Sequence, residues 1–541
     1  MKRLGVMLDV SRNAVMKPNE VKNFATIIKS FGYNTLQLYT EDTYEIEGEP
    51  YFGYMRGRYT TEELSDIVKY CEKIGMEVIP CIQTLAHLDQ IFRWKPFHDL
   101  QDVGGVLLAD YEKTYALIDK MFSSLRKSFT SKYVNIGMDE AHLLGLGRYL
   151  EKHGFQNGFD ILHRHLEKVL EIANKYGFQP IMWSDMFFRL ANQGDYYPAN
   201  PTMTEEAKSA IPQGVGLIYW DYYHDSQEHY EKLLKAHLQA NCENWFAGGV
   251  ITWTGFTCAN CKTLDAMMPA VNAVKNCKID NVFFTMWGDN GKECSFYSVL
   301  PALFTLAKTY FGETDIAKIK QEFFVLTGED YDKMMALDLP NYVSGNTAHT
   351  PDMWCIVNNV SKFALYNDPF MGLFDTTLSK GFEVRYAKLA KTLKCYGKES
   401  RNYRYIFDAA SALCRVLALK YNLGVRTRAA YVEKDKKAIL KIAKDYERTA
   451  KLVLDFHDRF SKLWHKENKP NGFEVQDIRL GGLAQRLRSC KIRLIAWAKG
   501  RIDEIPELEE EVLDINGGGK IKNEDPISYN SWTATVSVNA L

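Results

Sequence analysis

Apolar runs of four to six residues alternate with longer amphipathic stretches through the first 310 positions of the chain. The short runs are Arg3–Leu8, Thr35–Tyr39, Glu77–Ile82, Tyr133–Met138, Pro180–Trp183, Val215–Trp220, Gly249–Trp253 and Val282–Trp287. Their length and their Val, Ile and aromatic content predict buried strands. Between them, apolar residues recur at helical spacing near Pro18–Phe31, Thr61–Ile74, Tyr111–Phe129, Phe159–Tyr176, Ser226–Asn241 and Leu264–Lys275. A shorter helical stretch covers Thr204–Ala210, and an eighth begins near Ser295. Gly32, Gly75, Gly177 and Gly214 stand between helix and strand, where a C-terminal cap calls for a left-handed residue. Strict alternation of helices with apolar strands predicts a parallel sheet covered by helices. Eight such units in about 310 residues have the size of a (β/α)8 TIM barrel. The other α/β candidate is an open doubly wound sheet, but no Gly-rich dinucleotide turn follows the first strand.

Beyond Phe311 the pattern changes to long amphipathic helices, as in Tyr403–Leu419, Lys437–Phe460 and Ile478–Arg501. The chain therefore reads as a barrel over residues 1–310 and a mainly α-helical C-terminal domain over 311–541. Val325–Pro351 is less regular and reads as a junction, and Trp532–Val538 alternates like an edge strand. No catalytic constellation stands out in the helical half, which reads as a bundle packing on the barrel or on another subunit. A homodimer is one candidate assembly.

Composition narrows the function classes. A net charge of −1 gives no basic field for nucleic acid or a membrane surface. No apolar run approaches a transmembrane length. The N-terminus enters a strand pattern at once, without the apolar core and cleavage site of a signal peptide, which predicts a cytoplasmic protein. The eleven Cys are scattered, with Cys81 and Cys414 in apolar surroundings, and read as free thiols. Cys258 and Cys261 form a CxxC with no second ligand pair, so no metal is expected there.

The chemistry lies at the strand ends. Arg3–Leu8 is followed by Asp9 and Arg12, Thr35–Tyr39 by Glu41 and Asp42, and Glu77–Ile82 by Gln83 and His87. The fourth run ends in Asp139, Glu140 and His142, and the fifth in Trp183 and Asp185. The sixth gives Trp220, Asp221, Tyr222 and Tyr223, the seventh Trp253, and the eighth Trp287, Asp289 and Asn290. Any one of these is explained as a cap or a satisfied polar group. Together, in a barrel, they converge on one mouth. Carboxylates and a guanidinium bond hydroxyls, and indole rings stack on the apolar face of a sugar. A phosphate site would want Gly-rich turns and Lys. A metal site assembled from His87, His142, Asp139 and Asp289 lacks HxH or HExxH spacing.

Five of these strand ends carry a resemblance: Leu8-Asp9-Val10-Ser11-Arg12, Tyr39-Thr40-Glu41-Asp42, Gly137-Met138-Asp139-Glu140, Trp253-Thr254-Gly255-Phe256 and Trp287-Gly288-Asp289-Asn290-Gly291. In this order they resemble glycoside hydrolase family 20, the β-N-acetylhexosaminidases. Residues 466–508 are similar to the bacterial branch with a helical C-terminal domain. The chain departs from the family in lacking a small α+β domain before the barrel, and in having Glu41 where many members have Asp and Asp289 where many have Glu. The resemblance implies an exo-acting, retaining enzyme acting on N-acetylhexosamine-terminated glycans, GlcNAc with GalNAc left open, without a cofactor. Its substrate's 2-acetamido oxygen serves as nucleophile. It further implies Glu140 as general acid and base, and Asp139 as the group that orients the acetamide. Arg12 and Asp289 would bind sugar hydroxyls, and Trp183, Trp253 and Trp287 would wall the pocket. Asp221 and a tyrosine among Tyr219, Tyr222 and Tyr223, with Tyr222 favoured, would contact the sugar or its acetamide. His87 reads either as a relay with Glu41 or as a structural histidine. The rival readings are a non-catalytic sugar-binding barrel, which should lack one of the two acids, and a metal-dependent barrel hydrolase.

Overall fold

The computed structural model describes residues 2–342, 360–515, 517 and 533–539. Eight parallel strands close into a barrel in sequence order: β1 (Arg3–Asp9), β2 (Thr35–Tyr39), β3 (Glu77–Cys81), β4 (Tyr133–Asn135), β5 (Gln179–Trp183), β6 (Gly216–Trp220), β7 (Asn244–Gly249) and β8 (Asn281–Met286). β8 returns to β1 in parallel register, with Leu4 opposite Val282 and Leu8 opposite Met286. The alternation of apolar runs and amphipathic helices thus predicts the fold class correctly.

Seven strands fall where the sequence pattern places them. The exception is β7, which lies five residues earlier than expected. The sequence pattern starts the strand at Gly249, where the structure ends it, and Gly248 just before it is a close-packing position. A Cβ on Gly248 would stand 2.5 Å from Met267 Sδ and 2.8 Å from the Phe284 ring. Trp253 therefore lies in the following loop rather than on the strand.

The barrel interior is filled by Met7, Tyr39, Ile79, Cys81, Tyr133, Ile181, Trp183, Ile218, Trp245, Ala247 and Phe283. A polar layer closes the N-terminal end. Arg3 Nε pairs with Glu77 at 2.8 Å, and its guanidinium lies 4.5 Å from the centre of the Tyr133 ring. Glu243 accepts from Tyr133 at 3.1 Å and Asn281 at 2.8 Å. The outer helices are capped by side chains and by the expected glycines. Thr60 and Glu63 form a reciprocal capping box before helix Thr61–Lys73. Gly177 ends helix Gly158–Lys175 at φ +68°.

Two compact units divide the chain. The first is Met1–Val250, Thr263–Trp287 and Leu303–Asp315; the second is Ile251–Lys262, Gly288–Ala302 and Ile316–Leu541. The loops after β7 and β8, with Trp253 and Asp289, thus belong to the second unit. Within that unit helices Phe382–Glu399, Arg404–Lys420, Lys436–Glu467 and Phe473–Ala498 form successive packed pairs. The expected junction, Val325–Pro351, begins in the last residues of helix Ile316–Thr327 and runs through the short helices Tyr331–Met335 and Ala336–Asn341, and its part from residue 343 lies outside the described residues. The expected edge strand near the C-terminus is a helical turn at Thr533–Val536, and Trp532 lies outside the described residues. A closed barrel has no edge with which such a strand could pair.

A buried charge network fastens the loop after β8 inside the second unit. Glu293 and Lys362 are each 1% exposed and pair at 2.7 Å. Arg479 reaches Glu293 at 3.2 Å and donates to the Asn290 carbonyl at 2.6 Å. Removing one member of a buried ion pair leaves an uncompensated charge, which costs about 3–5 kcal/mol, whereas replacing both with apolar groups is often near neutral. Glu293→Leu should therefore lower unfolding stability by about that amount, and Glu293→Leu/Lys362→Met should recover most of it. Urea unfolding of the four proteins of the cycle measures this; an additive double variant would refute the coupling.

Candidate active site

The β4 ladder ends at Asn135, and the chain then turns through left-handed residues: Gly137 at φ +72°, Met138 at +67° and Glu140 at +52°. Non-glycine residues adopt this region only when their surroundings enforce it. Here the enforcing group is Gln83, directly after β3. Its Oε1 accepts the Met138 N–H at 3.2 Å, and its Nε2 donates to Asp139 Oδ1 at 2.8 Å and to the Tyr39 hydroxyl at 3.0 Å. Asn135 Oδ1 accepts the Gly137 N–H, and Asp185 Oδ2 accepts the Glu140 N–H, each at 3.0 Å. A side chain at Gly137 is excluded: its Cβ would collide with Gln83 Oε1 and lie 2.8 Å from the Ile82 carbonyl oxygen.

This turn sends the two adjacent acids into different surroundings. The Asp139 side chain is 13% exposed and that of Glu140 is 48% exposed. His87, itself at φ +55°, sits with both: its Nε2 lies 3.2 Å from Asp139 Oδ2 and 3.7 Å from Glu140 Oε2. Burial alone would push the Asp139 carboxyl upward. The His87 charge and the hydrogen bonds from His87 and Gln83 outweigh burial and hold it below its ordinary range. Burial would depress His87, but the Asp139 charge and hydrogen bond raise it to about 9. The two form a charged pair at neutral pH. Asp185 behaves oppositely. Burial, reinforced by the charge of Asp139, lifts its carboxyl to about 7.

A hydrogen-bonded chain continues across the mouth to β1. Tyr39 donates to Glu41 Oε1 at 2.9 Å, and Arg12 Nε donates to the same oxygen at 2.9 Å. Trp287 meets Tyr39 edge-on with 4.8 Å between ring centres, and Trp183 lies 6.0 Å from Trp287. The Trp183 indole N–H is buried with no acceptor among the described residues. Burial raises the Tyr222 phenol well above its ordinary value, and the charges of Asp139 and Glu140 raise it further, so Tyr222 stays protonated within the field of the acid pair.

The sequence reading thus brings Arg12, His87, Asp139, Glu140, Trp183, Tyr222 and Trp287 together in the barrel unit, and it needs two corrections there. His87 pairs with Asp139, not with Glu41, whose Oε1 takes Arg12 and Tyr39. Trp253 and Asp289 fall in the second unit, Trp253 as a buried side chain and Asp289 at the start of the turn Asp289–Gly291. Asp221 is fully buried and does not face a ligand. It accepts from Tyr219 at 2.9 Å, from the Tyr223 N–H at 3.1 Å and from His224 Nδ1 at 2.8 Å, with His229 Nε2 at 3.3 Å. Burial would raise it, but the His224 and His229 hydrogen bonds dominate and lower it to about 2. Asp221 is the clasp of the loop that carries Tyr222.

Asp221, His224 and His229 are also a group of metal-type donors whose atoms converge within 4.8 Å. The two imidazoles stack at 3.6 Å between centres and 20° between planes. Nearly parallel rings at that spacing cannot both aim an in-plane lone pair at one ion, so this arrangement suits a capped carboxylate better than a metal centre. The CxxC is likewise a packing feature. Asp338 accepts the Asn260 N–H at 2.8 Å and the Cys261 N–H at 2.7 Å, and both cysteines are free thiols.

Gln83, Tyr39 and Asp185 are working parts of the mouth to which the sequence pattern assigns no role. Their one signal is a polar group at or just beyond the end of an apolar run. Which neighbour each would hold depends on loop conformation, which sequence spacing does not encode.

A (β/α)8 barrel whose mouth combines an acid pair, an arginine and two neighbouring indoles has the chemistry of a carbohydrate-active enzyme. Comparison with known proteins agrees. The family model for the glycosyl hydrolase family 20 catalytic domain matches residues 3–228, and that for the Glycoside Hydrolase 20C C-terminal domain matches residues 332–525. The chain belongs to glycoside hydrolase family 20. Hexosaminidase D of Homo sapiens is 25% identical over 239 residues, 42% of this chain and 46% of that protein. Hexosaminidase D of Bos taurus is 22% identical over 229 residues, 40% of this chain and 63% of that protein. The chain thus spans roughly half the length of these relatives. The crystal structure of a β-N-acetylhexosaminidase from Bacteroides fragilis aligns with 60% of this chain and 69% of its own, at 17% identity and a TM-score of 0.46.

Two expectations follow from this geometry. Gly137→Ala should displace Gln83 and with it Asp139, and a misplacement of this kind costs about 10²-fold in turnover. Gly177→Ala is the control. It has the same left-handed backbone, at φ +68°, with nothing within 4 Å of its Cβ, so it should lose only stability, about 1–2 kcal/mol. Glycoside turnover and thermal melting of both variants separate the effects. Equal activity losses would argue against the clamp.

The second concerns pH. His87 is raised from its ordinary 6.5 to about 9, so its contribution to stability is complete below pH 6.5 and lost as pH climbs through 9. Urea unfolding of the wild type should weaken across that window. His87→Gln should show a flatter profile there, and an unchanged slope would remove His87 as the source.

Proposed function

We propose that the chain is an exo-acting, retaining β-N-acetylhexosaminidase that releases terminal β-linked N-acetylglucosamine by substrate-assisted catalysis. The observation that carries this reading is the split environment of two adjacent acids: Asp139 is held ionised by His87 and Gln83, while Glu140 is exposed beside it. Glu140 protonates the glycosidic oxygen as the bond to C1 breaks. The substrate's own acetamide oxygen attacks C1 and closes an oxazolinium ring. Asp139 accepts the acetamide N–H, orients the group and compensates the positive charge. Glu140 then takes a proton from water, which opens the ring at C1 and restores the β configuration. Tyr222, kept protonated, is suited to donate to the acetamide oxygen. The unpartnered N–H of Trp183 is a second donor for the same pocket.

A conventional retaining glycosidase needs a carboxylate nucleophile about 5–5.5 Å from the acid, across the sugar. Four of the other barrel carboxylates at the strand ends are engaged by side chains, and the fifth, Asp185, accepts the Glu140 N–H. Asp9 accepts from the Ser11 N–H and hydroxyl, Glu41 from Arg12 and Tyr39, Asp42 from Arg56, and Asp221 is clasped. The acetamide supplies what the protein does not. A binding module without activity would have no use for the strained turn that separates the two acids.

The test uses an aryl β-N-acetylglucosaminide and the matching β-glucoside, which lacks the acetamide. The first should be hydrolysed and the second essentially inert. A thiazoline that mimics the bicyclic intermediate should bind far more tightly than substrate, since such analogues gain roughly 10²–10⁸-fold. Asp139→Asn should weaken both turnover and thiazoline binding. Efficient cleavage of the β-glucoside, or release of internal fragments from a chitin oligomer before monosaccharide, would sink the reading.

A further inference from the structure

The loops after β2 and β3 leave the barrel on the same face as Asp139 and Glu140, because all eight strands run parallel. They carry three aromatic rings that do not enter the core. Tyr51 and Tyr54 are 43% and 41% exposed, and Trp94 is half-buried. Trp94 lies 5.2 Å from Tyr54 at 78° and 5.9 Å from Tyr51 at 38°, so the rings form an open corner and not a closed stack.

This corner is fastened to the mouth. Arg56, two residues beyond Tyr54, holds Asp42 Oδ1 at 3.3 Å and donates to the Ser11 carbonyl. Ser11 precedes Arg12 and Asp42 follows Glu41, so the loop is tied to the backbone neighbours of the Arg12–Glu41 pair. Gly53 lies on the same anchor. At φ +65° it packs so close to the Asp42 carbonyl that a Cβ would collide with it. Arg58 stiffens the loop by holding the Pro50 carbonyl at 3.1 Å and the Phe52 carbonyl. Two residues and one arginine side chain separate Tyr54 from the Arg12–Glu41 pair, roughly 15 Å at full extension. That is the reach of a short oligosaccharide.

We propose that Trp94, Tyr54 and Tyr51 form the subsite for the sugar on the reducing side of the scissile bond, a β-linked hexose or N-acetylhexosamine. The inference rests on the hexosaminidase reading above and names the part of the substrate that reading leaves unplaced. Aromatic faces bind the C–H face of a pyranose, and the tyrosine hydroxyls supply a polar edge. Exposed rings on a loop held rigid by two arginines keep their orientation without ligand, which lowers the ordering cost of binding. The alternative is that the rings only support one another and the loop.

The experiment compares kcat/KM for N,N′-diacetylchitobiose with that for methyl β-N-acetylglucosaminide, whose leaving group has no ring, in the full chain. Trp94→Ala and, on the other loop, Tyr54→Ala should each lower the disaccharide-to-methyl ratio by about 3- to 12-fold. Trp94→Phe should restore most of it. Equal losses on both substrates would assign the rings to loop support and overturn the subsite, as would an unchanged ratio. A wild type inert toward both glycosides would instead overturn the hexosaminidase reading, and the subsite with it.

Discussion

The side-chain amide of Gln83 is the contact on which the mouth of this barrel depends. One carboxamide accepts from the Met138 backbone and donates to Asp139 and to Tyr39. It joins the ends of β2, β3 and β4 and fixes the turn that separates two neighbouring carboxylates. The turn costs conformational energy at Met138 and Glu140, which only a surrounding network of this kind can offset. Gly137 is required by the same contact, since nothing larger than hydrogen fits against Gln83 there. The strain and the clamp are one feature seen from the two sides of the loop.

Charge management extends from that clamp. The acids of the mouth mostly face in-house partners: Glu41 faces Arg12, Asp42 faces Arg56, Asp139 faces His87, and Asp221 faces two histidines and a tyrosine. The pairings of Asp139 and Asp221 keep those carboxylates ionised, and all four hold their loops in place, because an unpaired charge at that depth would be too costly. Glu140 is the exception, with half its side chain in the open. Asp185, lifted to about 7 by burial and by Asp139, accepts the Glu140 amide N–H and brings to the acid pair a carboxyl that changes charge near neutral pH.

The barrel was legible because strand and helix periodicities differ, and because glycine caps such as Gly177 punctuate them. The same logic misplaces β7, because the run from Gly249 to Trp253 imitates a strand while the true strand ends at Gly249, with Gly248 packed close against Met267 and Phe284. The acid pair was legible from its position at the end of an apolar run. Partner choice was not. His87 had two carboxylates within sequence-level reach, and the outcome turned on Tyr39 and Arg12 saturating Glu41 first. Asp221 looked like a ligand for a sugar because it follows a strand. Only the loop that brings His224, and the first turn of helix Gln227–His237 that brings His229, over it show a clasp. Spacing encodes which residues arrive at the mouth, and the local loop conformations decide which of them face it.

Adjacent carboxylates on one strand end are a poor design for two-sided attack on a sugar, since neighbouring side chains diverge to the same side of the substrate. They are a good design when both groups serve one face of chemistry: one delivering a proton, the other steadying a cation that forms beside it. The structure sharpens that distinction by giving the pair unequal environments. A largely buried, charged Asp139 has little freedom to act as an acid, whereas the exposed Glu140 side chain is open to an incoming group. Asp9, Glu41, Asp42 and Asp221 are committed to serine, arginine, tyrosine or histidine, and Asp185 sits on the Glu140 amide beside the pair, so the proposed mechanism takes its nucleophile from the substrate. On that reading, selectivity for N-acetylated sugars follows from the mechanism itself.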